Sequence, residues 1–333
     1  MLGVAKPKRL PRRHLVGGVV ACALLAPLGL RAQPRPMLRI GTTTVFGMSG
    51  EIYTSFRVRM AELGYIEGRN FVFDIVAIER PAEYGAAYAE LVARGVDVLL
   101  AMGYEPALQA ARQAAAGRIP VVFLAIDYDP VQIGYVASQA RPGANITGIF
   151  VRQTELATKR LELAHEALPK VRRLALWWDS ITRAQVEAMA TAAKPLGLDA
   201  QLVGVSGQPP DYENGFRLSD RLRADAIILT SSPAYLVARA DIVRLAMTRR
   251  LPVIAAYRDF AAAGALLSYG INLSTMFRDI ASYVDRIARG TRPADLPVMQ
   301  PSKFDLVLNL KTARTLDIAI PPALRARADA VIE

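Results

Sequence analysis

Hydroxyl side chains are concentrated at the end of the first predicted strand. Thr42 ends this strand, Thr43 and Thr44 follow it, and Ser49 lies before the next helix. Hydroxyl groups and the backbone amides at a helix start both donate hydrogen bonds, so together they suit a carboxylate. Capping of the helix is an equally good interpretation for Ser49. The pattern therefore predicts a polar corner that binds part of a ligand.

Aromatic side chains follow several other predicted strands. The candidates are Tyr104, Tyr128, Trp178 and Tyr257. Aromatic side chains at these places can wall an aromatic or apolar ligand, with roughly 0.5–1.5 kcal/mol for each good ring pair. Packing inside the protein is the alternative for each of them. Because side chains alternate along a strand, Trp177 and Trp178 point to opposite faces, and only one of the two is expected to reach a ligand.

Acidic side chains at the same strand ends could hold an amine. They are Glu105, Asp127, Asp129 and Asp179. A role in a turn or a helix cap is the alternative for each. Arg258 is placed either to pair with a carboxylate or to bridge two parts of the protein. The remaining candidates at these loops are Ser231, Ser232 and Tyr269.

Little in the chain suggests catalysis. Of its two histidines, His165 lies within a predicted helix, far from any strand end. A serine–histidine–aspartate triad or a histidine-ligated metal site is therefore not expected. No G-x-x-x-x-G-K-[ST] loop is present, and no G-x-G-x-x-G follows a strand, so no cofactor is expected. A hydrolase that pairs Glu105 with Asp129 is the remaining enzymatic alternative.

Residues 1–32 have the layout of a secretion signal. They contain six basic residues and no acid. Five of the basic residues precede an apolar run from Leu15 to Leu30, and cleavage is expected after Ala32. The run of about 16 residues is short for a spanning helix, which needs roughly 20. Arg12-Arg13 loosely match a twin-arginine signal, with ordinary secretion as the alternative. Lipid attachment at Cys22, the only cysteine, is a further alternative to a freely periplasmic protein.

The charge balance changes when this segment is removed. Net charge is +11 for the whole chain and about +5 without residues 1–32, because 35 basic residues then face 30 acidic ones. A balance of this size favours solubility and does not indicate a nucleic-acid partner. Hydrophobic residues make up 52% of the 333 residues, which is enough for the cores of two domains. A monomer is expected.

Strands and helices alternate along the chain from Arg39 onward. A first series runs to a strand at 120–126 and predicts a parallel, doubly wound α/β sheet with helices on both faces. After a turn-rich segment at 141–148, the alternation restarts at Thr154 and continues to Tyr257. Two Rossmann-like lobes are therefore expected. In such sheets a ligand lies at the carboxyl ends of the strands, where the candidate residues stand.

The C-terminal part of the chain links the two lobes. Its predicted elements are a strand at 266–269, a helix at 276–289, a proline-bearing connection at 292–301 and a strand at 304–309. They predict chain crossings near residues 145, 262 and 297, which would form a three-strand hinge beside a cleft. The expected lobes comprise residues 37–147 plus 263–295, and residues 148–262 plus 296–333.

Six motifs in a fixed order resemble a known family. They are Leu63-Gly64-Tyr65 with Glu67-Gly68-Arg69-Asn70, Asp129-Pro130-Val131, Ala140-Arg141-Pro142-Gly143 with Asn145 and Thr147-Gly148, Ser268-Tyr269-Gly270, the tail strings between Ala294 and Ala313, and Ile320-Pro321-Pro322. Together they cover about residues 38–333. The chain is similar in them to substrate-binding proteins of ABC transporters with the type I periplasmic binding fold.

This resemblance implies an extracytoplasmic receptor that delivers a small polar or aromatic solute to an ABC importer. Its partners would be the solute and the membrane permease, and some members handle aromatic amino acids. Two loops depart from the family pattern, at 103–106, where small residues are usual, and at 177–180, where an Asn-Pro turn is common. Binding would close the lobes around the solute. A periplasmic sensor that feeds a signalling partner is the alternative.

Overall fold

The computed structural model describes residue 3 and residues 37–45, 53–205, 207, 210–301 and 303–333. Residues 36–333 form one compact unit. The expected signal segment, apart from Gly3, lies outside the described residues, and so do its twin-arginine motif, Cys22 and the candidate Ser49. Within the described residues, no helix combines the length and the apolar character needed to cross a membrane.

The first sheet has five parallel strands in the order β2-β1-β3-β4-β5. Their bounds are β1 Leu38–Val45, β2 Phe71–Ile78, β3 Val98–Gly103, β4 Val121–Ile126 and β5 Ile146–Val151. The register pairs Leu38 with Phe71 and Val121 with Ile146. Strands β4 and β5 are buried almost throughout, as expected for strands of a parallel sheet covered on both faces.

The second sheet has seven strands in the order β12-β11-β10-β9-β8-β6-β7. Their bounds are β6 Arg173–Trp178, β7 Asp199–Gly204, β8 Ala226–Leu229, β9 Val253–Ala255, β10 Leu267–Ile271, β11 Phe304–Asn309 and β12 Ala330–Ile332. The pair β10–β11 is antiparallel, and the other pairs are parallel. The prediction of a mainly parallel α/β fold with two lobes is confirmed.

Helices cover both faces of each sheet. Their bounds are α1 Thr54–Glu62, α2 Tyr84–Ala93, α3 Glu105–Ala115, α4 Gln153–Ala167, α5 Arg183–Ala193, α6 Tyr212–Arg221, α7 Pro233–Val237, α8 Arg239–Thr248, α9 Arg258–Ala263, α10 Leu273–Ala288, α11 Leu310–Thr315 and α12 Pro322–Ala326. In the first lobe α1 packs against α10, and α2 packs against α3. In the second lobe α4 packs against α5. The buried Trp177 belongs to the hydrophobic cluster that also contains Phe216 and Tyr235.

The chain crosses between the sheets three times. The first crossing follows β5, because α4 already packs on β10 of the second sheet. The second follows β10, since α10 returns to pack against α1. Residues before β11 then run beside β5, where Met299 N donates to Gly148 O at 2.9 Å, so the third crossing lies between Met299 and Phe304. The predicted three-strand hinge is therefore present.

Each crossing lies later in the chain than predicted. The predicted boundary at 147/148 divides β5, because the turn signals at 141–148 mark the start of this strand and its buried run continues to Val151. The sequence pattern places the segment 263–295 in the first lobe, but its strand β10 pairs with β9 and β11 of the second sheet. A short, buried strand carries no sequence signal for its partners, which explains both differences.

Two glycines allow close backbone approach next to crossings. A Cβ atom at Gly148 would lie 2.0 Å from Phe123 O, and one at Gly270 would lie 2.2 Å from Ala256 O. Neither position accepts a larger residue without a backbone shift. Both glycines stand in the strands that lead into the hinge.

Candidate functional site in the cleft between the sheets

A cavity of about 130 Å³ lies between the two lobes, far larger than the space that one water molecule needs. Its described residues from the first lobe are Thr43, Thr44, Tyr53, Pro81, Tyr84, Met102, Gly103, Tyr104, Pro106, Leu124, Ile126, Leu273, Met276 and Phe277. Those from the second lobe are Ile181, Pro233, Leu236 and Tyr257. None of these residues carries a formal charge. The cavity therefore suits an uncharged apolar or aromatic group.

Aromatic rings are fixed in the first-lobe wall. Tyr53 packs edge-on against Phe277, with ring centroids 5.3 Å apart, and against Phe73 at 5.2 Å. The Tyr53 hydroxyl donates to Thr43 O at 3.1 Å. Burial raises the pKa of Tyr53 to about 12, so the hydroxyl stays neutral and remains a donor at physiological pH. The Tyr53 side chain is thus held in the wall by two ring contacts and one hydrogen bond.

The predicted threonine corner is divided by the structure. Thr43 and Thr44 line the cavity. Thr42 is fully buried, and its hydroxyl donates to Leu100 O at 3.2 Å. This side chain therefore links β1 to the neighbouring strand β3. Alternation along β1 places Thr42 and Thr44 on the same face, so the division reflects position along the strand, with Thr42 farther from its carboxyl end.

Tyr104 and Tyr257 approach each other from opposite lobes. Tyr257 donates from its hydroxyl to Ser231 O at 3.3 Å. The buried Tyr104 hydroxyl lies near the Ser231 side chain but forms no hydrogen bond of normal geometry among the described residues. Burial raises the pKa of both groups, to about 12 for Tyr257 and well above the usual value for Tyr104. Both predicted tyrosines therefore belong to the cavity wall as neutral phenols.

Asp127 bonds to groups of the second lobe. Its Oδ1 accepts from Thr154 N at 2.7 Å, and its Oδ2 accepts from Gln185 Nε2 at 2.9 Å. Burial raises the pKa of Asp127, while the hydrogen bonds from Thr154 and Gln185 and the charge of Arg160 oppose that rise. Asp127, which the sequence suggests as a partner for an amine of the solute, therefore already accepts hydrogen bonds from two protein donors.

Asp179 is the centre of a buried polar network in the second lobe. It accepts a hydrogen bond from Thr182 Oγ1 at 2.7 Å and another from Ser232 Oγ. The Thr182 hydroxyl also lies 2.9 Å from Thr230 Oγ1. Both oxygens of Asp179 thus accept hydrogen bonds from protein hydroxyl groups.

The other two predicted acids have partners outside the cavity. Glu105 accepts a hydrogen bond from the Tyr135 hydroxyl. Asp129 accepts from Val131 N at 2.8 Å and so stabilises a turn. Among the described residues, no group of three or more histidine, cysteine, aspartate or glutamate side chains is arranged to hold a metal ion.

Three predicted aromatic residues also lie outside the cavity lining. Trp178 is half-buried, with the guanidinium of Arg183 4.7 Å from its ring centre. Tyr128 packs against a hydrophobic cluster inside the first lobe. The ring of Tyr269 lies 6.2 Å from that of Phe304. The alternative of packing within a lobe describes Trp178 and Tyr128.

Several cavity residues escaped the sequence reasoning. Phe277 and Met276 enter the cleft from α10, which reaches it through the second crossing. A rule that selects only loops after strands does not find a helix that arrives in this way. Tyr84 was detectable as an aromatic residue at the start of the helix after β2. Gln185, which lies beside the cavity and is not among its lining residues, stands inside a helix without a local sequence signal.

Comparison with known proteins defines the class. Residues 49–332 match the family described as ABC transporter substrate binding protein. The chain belongs to this family, whose members bind a small solute and work with an ABC transporter outside the cytoplasm. The two-lobe fold is that of type I periplasmic binding proteins.

Individual relatives are distant in sequence and similar in fold. A tyrosine-binding protein of Clostridioides difficile (strain R20291) is 23% identical over 264 residues, which cover 78% of this chain and 74% of the relative. A Streptococcus pneumoniae ABC domain solved with L-Trp has a TM-score of 0.74 at 23% identity, covering 89% of this chain and 100% of that one. A conserved domain protein from Vibrio cholerae has a TM-score of 0.75 at 25% identity, covering 89% and 99%.

Proposed function

We propose that this protein binds a small aromatic solute, of the size of an aromatic amino acid, and delivers it to the permease of an ABC importer without chemical change. The observation that carries this proposal is the cavity shared by both lobes, with aromatic rings and no charged side chain among its described lining residues. The names of two relatives, which mention tyrosine and L-Trp, support it.

The ring of the solute is expected to lie among Tyr84, Tyr104, Phe277 and Tyr257, with its polar end near Thr43 and Thr44. Hydroxyl groups there donate to or accept from a polar substituent. An aromatic side chain buries about 150–250 Å², which contributes about 4–6 kcal/mol before the costs of association. Micromolar affinity corresponds to about 8 kcal/mol, so hydrogen bonds to the polar end of the solute are expected to supply the remainder.

Closure of the two lobes about the three crossings is the proposed mechanism, since contacts from both lobes favour the closed form. The proposed setting is the periplasm, after removal of residues 1–32 as a signal peptide. A monomer with a membrane permease as its partner fits this function.

Thermal unfolding with L-tyrosine and L-tryptophan tests the proposal. A solute at a hundred times its Kd stabilises the folded protein by about 2.7 kcal/mol. Leu236→Glu places a charge in the cavity wall and should weaken binding at least about 100-fold, because the cavity offers it no partner. Val237→Glu is the matched control, since Val237 is the next residue in α7 and is 47% exposed.

The proposal requires that the wild-type transition shifts with an aromatic solute and that only the Leu236 variant loses the shift. An unshifted wild-type protein would overturn the aromatic assignment. Equal loss in both variants would place binding outside this cavity. If chromatography shows that the solute is converted to a product during incubation, the protein is an enzyme and not a receptor.

A further inference from the structure

Asp127 and Gln185 join the two lobes beside the cavity wall. Asp127 follows β4 of the first sheet, whereas Gln185 lies in the first turn of α5 in the second lobe. The Gln185 amide donates from Nε2 to Asp127 Oδ2 at 2.9 Å, and its side chain is fully buried. Neither residue is among the described residues that line the cavity. Because the two belong to different lobes, lobe separation breaks this bond.

We propose that Asp127 and Gln185 form a latch that stabilises the closed cleft without touching the solute and thereby sets solute affinity. The inference rests on the proposed closure of the lobes around a solute. A ligand gains affinity when the closed form is already stabilised, because less of its binding free energy is used for closing.

The amide of Gln185 has only one orientation that satisfies its neighbours. Its Oε1 accepts from Ser231 N and from Ser231 Oγ, both at 3.0 Å. A backbone amide can only donate, so the oxygen of Gln185 faces Ser231. The Nε2 group then faces the Asp127 carboxylate, which can only accept, and it also lies 2.9 Å from Ser231 Oγ. Ser231 thus fixes the donor side of the latch.

The acceptor side is fixed by the backbone of Asp127. This residue has φ of 59°, in the left-handed region that non-glycine residues seldom adopt. Thr154 N, in the first turn of α4, holds Oδ1 at 2.7 Å, and this leaves Oδ2 for Gln185. A strained residue held by specific bonds is more often found at functional positions than elsewhere in a fold.

Arg160 is the positioning residue for the charge of Asp127. It is fully buried in α4, and its Nη1 donates to Tyr269 O at 3.3 Å. Its Nε and Nη2 have no hydrogen-bond partner among the described residues. The positive charge lies close enough to Asp127 to favour the ionised carboxylate. An ionised acceptor makes the stronger hydrogen bond to an amide.

A polarity swap between the two partners tests the latch. Asp127→Asn presents an amide to the Gln185 amide, and Gln185→Glu presents a carboxylate to the Asp127 carboxylate, so each single variant removes the bond. In the double variant the new amide at position 127 can donate to the new carboxylate at position 185, while Thr154 N and Ser231 N keep their acceptors. All three variants have nearly the same side-chain volume as the wild type.

Two measurements are needed for each variant. Small-angle X-ray scattering of the solute-free protein reports the separation of the lobes, and calorimetric titration with L-tyrosine reports affinity. Each single variant should show a larger radius of gyration and a Kd about 10-fold to 100-fold higher, as expected for loss of a hydrogen bond to a charged group. The double variant should return to within about threefold of the wild-type Kd, since both bonds to neighbouring backbone are kept.

Arg160→Met adds a readout that a purely structural residue would not change. Its effect on the Kd should be large in the wild-type background and small in the Asp127→Asn background, where no carboxylate remains to be balanced. Equal effects on the Kd in both backgrounds would show that Arg160 does not act through Asp127.

The latch proposal is wrong if either single variant keeps the wild-type radius of gyration and Kd. It is also wrong if the double variant does not recover the wild-type Kd. If a single variant does not fold, as judged by circular dichroism, Gln185→Met replaces it, because it removes the amide without adding charge. If L-tyrosine does not bind the wild-type protein, the proposed function fails, while the scattering comparison still decides on the latch.

Discussion

The first lobe meets the cavity mainly with apolar and aromatic side chains, whereas the second lobe adds to this wall a neighbouring network of buried polar groups. Met102, Leu124 and Phe277 represent the first kind of surface. Asp179 and Thr182, bonded to each other and to their neighbours, represent the second. Both surfaces stand at the carboxyl ends of parallel strands, so the fold alone does not determine which chemistry a strand end carries.

This difference separates two contributions to binding. Burial against an apolar wall gives free energy that depends on area and has little directional preference. Hydrogen bonds in a buried network act only in one geometry, and an unsatisfied member is costly. We expect the first lobe to supply most of the affinity for the solute and the second lobe to fix the geometry in which the cleft closes.

Substitution of one residue in each surface gives the largest expected effects on the free energy of unfolding. Phe277→Ala removes a nearly buried ring that packs on Tyr53 and should cost about 3–5 kcal/mol of unfolding free energy. Thr182→Val removes a hydroxyl that bonds Asp179 and Thr230 and should cost about 1–2 kcal/mol. Urea denaturation measures both. A larger loss for Thr182→Val than for Phe277→Ala would contradict the division between the two surfaces.

Two acids allow a smaller test through pH. Hydrogen bonds from Arg278 and Arg59 lower the pKa of Glu62 from its usual 4.5 to about 2, so the stabilisation by Glu62 is present above pH 4.5 and is lost as the pH falls towards 2. Burial raises the pKa of Asp127 above its usual 3.8. The cost of its charge is therefore present at neutral pH and is relieved as the pH falls through the raised value.

The two acids should thus change the pH dependence of stability with opposite sign. In urea denaturation between pH 7 and pH 3, Glu62→Gln should flatten the acid loss of stability, because the variant cannot be protonated there. Asp127→Asn should steepen it, because a compensating gain disappears. Glu62 is exposed, so its effect is the smaller one in salt. Parallel curves for the two variants would show that Asp127 is not held in an unfavourable environment for its charge.

Much of the fold followed from local patterns. Apolar runs of strand length alternated with helices that ended at glycines such as Gly64, Gly95 and Gly197, and this pattern indicated two doubly wound lobes and three crossings. The positions of the crossings did not follow. Strand β10 is short and buried, and its pairing with β9 and β11 depends on contacts that are remote in sequence.

The site was predictable only where a strand end determines it. Thr43, Thr44, Tyr104 and Tyr257 reach the cavity from the loops that the strand-end rule selects. Trp178 stands at such an end as well, but it packs on the opposite face of the second sheet from Trp177 and lies beside Arg183. Phe277 and Gln185 come from helices, and only the tertiary arrangement brings them to the cleft.

Methyl-detected NMR during titration with L-tyrosine tests the central claim most directly, because it locates the solute in both lobes at once. The methyl groups of Met102 and Ile126 report on the first-lobe wall, and that of Ile181 reports on the second. All three are expected to shift with one saturation curve, while the exposed Leu202 of the outer strand β7 stays unchanged. Shifts confined to one lobe, or an absence of shifts at saturating solute, would contradict binding of an aromatic solute between the two sheets.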